Sequence, residues 1–144
     1  MSWFTEGSDP IIKISIVPFS KSSTGFSHSI RSETALHTMN ELLAKVSCYL
    51  AGRASEIYFK GYSTTNGDSD LQRAKKIITM IVTKFGMSNS LKMMAYPDFE
   101  FIRKPYSEKI ESIIDDEITK LSQECQLKVE ALIKEKEKEI LLLK

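Results

Sequence analysis

This sequence lacks a long apolar run, the residue pattern of a leader segment and a strong net charge. No stretch reaches the roughly 18 consecutive apolar residues of a membrane-spanning helix. Residues 1–6 have neither the basic nor the apolar region of a signal peptide, and they are not rich in arginine like a transit peptide. The net charge of +1 creates no field for a nucleic acid or a membrane surface. We therefore expect no direct membrane span, no targeting segment within this chain and no nucleic-acid partner.

Cysteine and histidine are also scarce, with two of each in 144 residues. Cys48 and Cys125 each lie in a helical pattern, and we interpret them as reduced, buried, small apolar residues rather than as a disulfide or a metal pair. His28 and His37 fall in a predicted strand and a loop, and we interpret them as ordinary polar residues rather than makeshift metal ligands. The apolar fraction of 42% is enough for the core of one domain.

The hydrophobic spacing predicts a mainly α fold with a small β hairpin near the N-terminus. Residues 1–7 have the pattern of the last turns of a helix, and residues 11–29 have that of the hairpin. An isolated hairpin is marginally stable, so we expect it to lie against the helices. Helices are predicted at 38–60, 68–86 and 107–144. The polar run 134–139 is either a solvated part of the last helix or a break in it.

Local signals mark both ends of the helix at 38–60. Thr38 and Glu41 have the spacing of a capping box, and Gly61 follows the last residue as a stop signal. Gly52 inside this helix costs about 1 kcal/mol relative to alanine, so we expect another element to approach closely there.

Residues 61–91 contain the most informative stretch, in which a loop of Asn, Gly, Asp and Ser leads into an amphipathic helix. Asp70 lies at the start of that helix. A carboxylate in a helix's first turn is a cap, a partner of the helix dipole or a metal ligand, and Asp68 is a competing cap. Glu56 is either a partner for another group at the helix surface or a group that orients an active site. Thr64 and Thr65 are either substrate-facing or an ordinary pair before a turn.

Several segments of the chain, taken in order, form a recognisable set. They are Trp3-Phe4 with 9–18, Gly52-Arg53-Ala54-Ser55-Glu56, Thr64-Thr65 with 70–74, 85–88, 104–108 and 114–117. Together these segments resemble the peptidase domain of FtsH-type proteases, which are membrane-anchored, ATP-dependent zinc metalloproteases. The resemblance covers essentially the whole chain, 1–144, as a single truncated domain. The sequence around Trp3-Phe4 and Lys104-Pro105 is most similar to the mitochondrial inner-membrane (m-AAA) branch.

This resemblance implies that Asp70 aligns with the carboxylate that serves as the third zinc ligand, and that residues 1–7 are a remnant of the zinc helix. In the family, two histidines of a His-Glu-x-x-His helix hold zinc and the glutamate between them activates water. Neither that motif nor a Gly-x-x-x-x-Gly-Lys-Ser/Thr loop occurs in this sequence. Ile57 stands where the family has a second glutamate. We therefore assign no catalytic residue and one metal-ligand candidate, Asp70.

Two hypotheses about function remain open. In the first, the chain is a degenerate peptidase domain without proteolytic activity. It would bind no cofactor and act as a binding or assembly module, in a homo- or hetero-oligomer with FtsH-type subunits. In the second, it is a fragment of a complete, active protease whose His-Glu-x-x-His lies just upstream of Met1. That protease would use zinc, and ATP in a separate module. The resemblance implies a location at the mitochondrial inner membrane.

Overall fold

The computed structural model describes residues 1–17, 25–30, 36–91, 93–96 and 106–142. Residues 18–24 of the predicted hairpin, the Lys104-Pro105 pair and the last two residues of the predicted C-terminal helix lie outside this part of the chain. Three α-helices and one small antiparallel sheet confirm the expected mainly α fold. The elements are β1 (Ile11–Ser15), β2 (Phe26–Ser29), α1 (Met39–Lys60), α2 (Asp68–Thr83) and α3 (Glu108–Leu142), with 3-10 helices at Ser2–Phe4 and Thr65–Gly67.

The ends of α1 follow from its local sequence. The Glu41 amide donates to Thr38 Oγ1 at 3.3 Å, and the Thr38 amide donates to Glu41 Oε2 at 2.7 Å. The predicted capping box is therefore confirmed. At the other end Gly61 adopts a left-handed conformation, with φ 73°, and its amide donates to Ile57 O. Gly52, by contrast, has no atom of the described residues within 4 Å of where a Cβ would stand, so the expected close approach is wrong.

The last two helices differ in length from their predicted bounds. Helix α2 ends at Thr83 rather than at 86, because the chain turns at Gly86, whose φ is 59°. A Cβ on Gly86 would lie 3.1 Å from Met94 O, so this turn requires glycine. Helix α3 runs without interruption through 134–139, and the alternative of a break there is wrong. The run consists of good helix formers, and Lys136 Nζ lies 3.2 Å from Glu139 Oε1 one turn later.

The N-terminal segment contains one 3-10 turn at Ser2–Phe4 rather than the last turns of an α-helix. Serine hydroxyl groups satisfy its backbone instead of a helical ladder. Ser2 Oγ donates to Asp9 O at 2.6 Å, and Ser8 Oγ donates to Ser2 O at 2.6 Å. Such local side-chain bonds compete with helix formation, and a segment this short has little helical stability of its own.

The hairpin does not bury its apolar side against the helices, so that expectation is wrong. Ile12, Ile14 and Ile16 expose 59%, 67% and 87% of their surface. On the other face of the sheet, Lys13 Nζ lies 5.9 Å from the centre of the Phe26 ring. A register shift between Ile11 and Lys13 interrupts the strand pairing at the base of the hairpin.

The core forms where the apolar stripes of α1, α2 and α3 meet. Cys125 is buried in it, whereas Cys48 is only half-buried, and both are free thiols. Burial raises the pKa of both thiol groups, which keeps them protonated and unreactive. The buried apolar cluster consists of Leu42, Val46, Ala74, Ile78, Ile81, Val82, Leu91, Ile114, Leu121 and Cys125.

Candidate functional site

Asp70 lies in the first turn of α2, directly after the 3-10 helix Thr65–Gly67. Gly67 occupies the N-cap position and makes no side-chain cap bond, so neither Asp68 nor Asp70 caps this helix. The carboxylate of Asp68 instead accepts a hydrogen bond from Gln72 Nε2 at 3.0 Å. Both carboxylates lie near the positive end of the helix dipole, where acidic side chains stabilise a helix.

The Asp70 carboxylate is open to solvent and weakly paired. Its side chain is 48% exposed, and its Oδ1 lies 3.7 Å from Arg73 Nη1, one turn further along α2. An exposed ion pair of this kind contributes little to stability. The carboxylate is therefore accessible to a ligand that approaches from the surface.

Asp70 lines an open cleft of about 510 Å³ between the base of the hairpin, α1 and α2. His37 and Cys48 line the same cleft, whereas His28 lies on the hairpin outside it. His37 Nδ1 is 3.9 Å from Glu41 Oε2, next to the cap of α1. The remaining residues that line the cleft are Ser2, Ser8, Asp9, Ile11, Ser27, Ser29, Lys45, Tyr49 and Arg73.

Glu56 contacts the loop that precedes Asp70. Its Oε1 accepts a hydrogen bond from Thr64 Oγ1 at 2.6 Å, and its Oε2 accepts one from the Thr64 amide at 3.2 Å. These two bonds hold the pKa of the Glu56 carboxyl below its ordinary value, and Arg53 adds to the effect. Of the two interpretations of Glu56, the structure supports a partner that joins α1 to the following loop. Both the hydroxyl group and the amide of Thr64 bond to this carboxylate.

Arg53 lies on the same side of α1 and reaches the same loop. Its Nη1 is 3.8 Å from Glu56 Oε2, and a Cβ on Gly67 would lie 3.3 Å from its Nη2. Sequence reasoning did not single out Arg53 by itself. The signal that could have identified it is its spacing of three residues from Glu56, which puts both side chains on one face of a helix.

The comparison with known proteins agrees with the order of these motifs. The sequence description of peptidase family M41 matches residues 1–144. This chain belongs to peptidase family M41.

Among the relatives of this M41 chain are proteins from a fungus, a plant and a bacterium. The chain is 34% identical to the mitochondrial inner membrane m-AAA protease component yta12 of Schizosaccharomyces pombe, over 92% of the chain and 18% of that protein. It is 31% identical to the ATP-dependent zinc metalloprotease FTSH 8, mitochondrial, of Oryza sativa, over 96% of the chain and 17% of that protein. It is 29% identical to the ATP-dependent zinc metalloprotease FtsH 1 of Salinibacter ruber, over 94% of the chain and 21% of that protein.

These comparisons confirm the resemblance to FtsH-type and m-AAA proteases. The chain spans about a fifth of the length of these relatives.

The names of two of these relatives specify zinc. The described residues of this M41 chain do not fit a zinc site. Catalytic zinc sites usually take three protein ligands. Within residues 1–17, 25–30, 36–91, 93–96 and 106–142, no group of three His, Cys, Asp or Glu side chains is placed to hold a metal ion. The described residues thus present the candidate carboxylate, Asp70, without a ligand set around it. In the same part of the chain, no helix has the length and apolar character needed to cross a membrane.

Proposed function

We propose that these 144 residues form a degenerate M41 peptidase domain that cleaves no peptide bond on its own. The observation that carries this proposal is the isolation of Asp70: the sequence contains no His-Glu-x-x-His to supply two further ligands and a general base. Within the described residues, a water molecule near Asp70 has no metal site to activate it.

The retained scaffold then serves as a binding or assembly module. An exposed apolar face supports this role, because Ile12, Ile14 and Ile16 of the hairpin are mostly exposed to solvent and large exposed apolar patches commonly mark interaction sites. We propose a protein partner, either a second copy or another FtsH-type subunit. Two relatives are named as components of m-AAA proteases, and we base this class of partner on those names.

The lack of activity is tested on the purified 144-residue chain by measuring zinc content and cleavage of an unfolded protein substrate. We expect far less than one zinc per chain and no cleavage, with or without added zinc. One tightly bound zinc per chain, together with cleavage that a chelator abolishes, would overturn the proposal.

The assembly role is tested by substituting one residue on each face of the hairpin. Ile14→Glu adds a charge to the apolar face, and His28→Glu adds the same charge to the opposite face as a control. We expect Ile14→Glu to weaken self-association or co-purification with an FtsH-type subunit at least tenfold, while His28→Glu binds like the wild type. Equal binding by all three chains would rule out this face as the interface.

A second candidate function is favoured by the way Glu56 holds the Asp70 loop. We propose that Asp70 completes a zinc site when a His-Glu-x-x-His helix is supplied by a longer form of the polypeptide, whose ATPase module is separate. In such a protease, Asp70→Ala should abolish proteolysis while ATP hydrolysis continues. Proteolysis that survives this substitution would remove Asp70 from the ligand set.

One measurement separates the two candidates. An antibody against residues 104–116 should detect the endogenous protein at either the 16.4 kDa of these 144 residues or several times that mass. The first outcome supports the module, and the second supports the zinc protease. By resemblance we also propose association with the mitochondrial inner membrane, which fractionation with the same antibody tests.

A further inference from the structure

We propose that Arg53 and Glu56 form a clamp that fixes the loop in front of Asp70 relative to α1. Glu56 is thereby a positioning residue for the Asp70 carboxylate. The catalytic meaning of this role rests on the second candidate function. The clamp itself is a property of these 144 residues and can be tested in them.

The first part of the clamp is the pair of hydrogen bonds from Thr64. Both oxygens of Glu56 are used, since Oε1 accepts from Thr64 Oγ1 at 2.6 Å and Oε2 accepts from the Thr64 amide at 3.2 Å. Two bonds from one residue to one carboxylate define a direction as well as a distance. Hydrogen bonds to an ionised group are also stronger than neutral ones.

Thr64 passes this constraint to the start of α2. Its Oγ1 also accepts a hydrogen bond from the Asn66 amide at 3.4 Å, which begins the 3-10 helix Thr65–Gly67. The amide of Asp68 then donates to Thr65 O, and α2 follows without an intervening loop. Asp70 lies in the first turn of α2, so a shift of Thr64 would carry Asp70 with it.

Arg53 contacts the far end of the same 3-10 helix. Its Nη2 lies against Gly67, while its Nη1 is 3.8 Å from Glu56 Oε2. The guanidinium group therefore occupies the space between α1 and the loop, and prevents the loop from moving inward. Its buried Nε has no hydrogen-bond partner within the described residues. We infer that packing against Gly67 and attraction to Glu56, rather than a full set of hydrogen bonds, hold Arg53 in place.

The clamp should open at acid pH. Thr64 holds the pKa of Glu56 below its ordinary value of 4.5, and the charged groups that act on Glu56 are Arg53 and Lys60. Because the pKa of Glu56 is lowered, its stabilising effect is fully present at pH values above the ordinary pKa. That effect is lost as the pH falls through the lowered pKa. Protonation of Glu56 removes the charge that strengthens both bonds from Thr64.

Amide hydrogen exchange in the full 144-residue chain tests the clamp directly. The variants are Glu56→Gln, Glu56→Ala and Thr64→Val. Thr65→Val is the matched control, because the Thr65 hydroxyl makes no hydrogen bond within the described part of the chain. At neutral pH we expect Glu56→Ala and Thr64→Val to raise exchange in residues 64–71 about five- to tenfold, the size expected for losing a typical intramolecular hydrogen bond. Exchange in α3 should stay unchanged, and Thr65→Val should behave like the wild type.

The pH profile distinguishes a charged clamp from simple packing. In the wild type, protection of residues 64–71, corrected for intrinsic exchange, should fall as the pH drops through the lowered pKa of Glu56. In Glu56→Gln it should be weaker at neutral pH and independent of pH. Unchanged exchange in both Glu56→Ala and Thr64→Val, or the same pH profile in Glu56→Gln and the wild type, would overturn the proposal.

The clamp proposal and the proposal that Asp70 binds zinc can be disproved independently of each other. If the exchange results hold but Asp70→Ala leaves proteolysis intact in a longer polypeptide, the second candidate function is wrong and the clamp stands. If Asp70→Ala abolishes proteolysis but the exchange is unchanged in the clamp variants, the clamp is wrong and the ligand assignment stands.

Discussion

At the scale of single residues, short polar contacts determine where helices begin and how the candidate site is presented. Thr38 and Glu41 satisfy two amides at the start of α1, and Thr64 and Glu56 join the end of α1 to the loop that follows. In each pair a threonine donates or accepts next to a carboxylate that is partly exposed. These contacts are local in sequence, yet only the first pair could be recognised from a known spacing.

The capping box gives a prediction for Thr38. Thr38→Ala removes the oxygen that accepts the Glu41 amide, and should lower the free energy of unfolding by about 1 kcal/mol. Asn40→Ala, at the next exposed position of the same turn, is the control and should change stability little. Urea unfolding followed by circular dichroism measures both. An equal loss in the two variants would show that the cap bond is not responsible.

The two carboxylates give a prediction about pH. The Thr38 amide lowers the pKa of Glu41, as Thr64 lowers that of Glu56, both from an ordinary value of 4.5. The stabilising contributions of both carboxylates are present at pH values above the ordinary pKa and disappear as the pH falls through their lowered pKa values. Unfolding of Glu41→Gln and of Glu56→Gln should therefore depend less on acid pH than unfolding of the wild type. Parallel curves for the wild type and both variants would contradict the shifts.

At the scale of elements, burial separates the helices from the hairpin. Helix α2 places Ile78, Ile81 and Val82 in the core, whereas β1 leaves Ile12 and Ile14 exposed. The helical period of α2 and the alternation of β1 are both clear in the sequence. Only the first of these patterns corresponds to a buried face within the described chain.

Substitution of two isoleucines tests this difference. Ile81→Ala should lower the free energy of unfolding by about 2–5 kcal/mol, because it leaves a cavity among three packed helices. Ile12→Ala removes the same atoms from an exposed strand and should change the free energy of unfolding by less than about 0.5 kcal/mol. Urea unfolding measures both. A loss of comparable size in Ile12→Ala would show that the hairpin face is covered in solution.

At the scale of the whole molecule, the isolation of Asp70 predicts that stability does not depend on zinc. A ligand that binds only the folded state raises the unfolding temperature with its concentration. Because the described residues hold no set of three ligand side chains, we expect the same unfolding temperature in zinc and in a chelator. Calorimetry of the wild type and of Asp70→Asn measures this. A zinc-dependent increase in the wild type that Asp70→Asn abolishes would show a complete site.

The sequence by itself determined the helical class, the capping box, the stop at Gly61 and the membership in family M41, because each depends on periodicity, local spacing or motif order. It also singled out Asp70, through motif order alone. The tertiary structure decided which apolar faces are buried, that His37 and Cys48 share a cleft with Asp70, and that Glu56 bonds to Thr64. These facts depend on how separate elements pack. That packing also left Ile12, Ile14 and Ile16 of the hairpin exposed, because the helices bury their apolar stripes against one another.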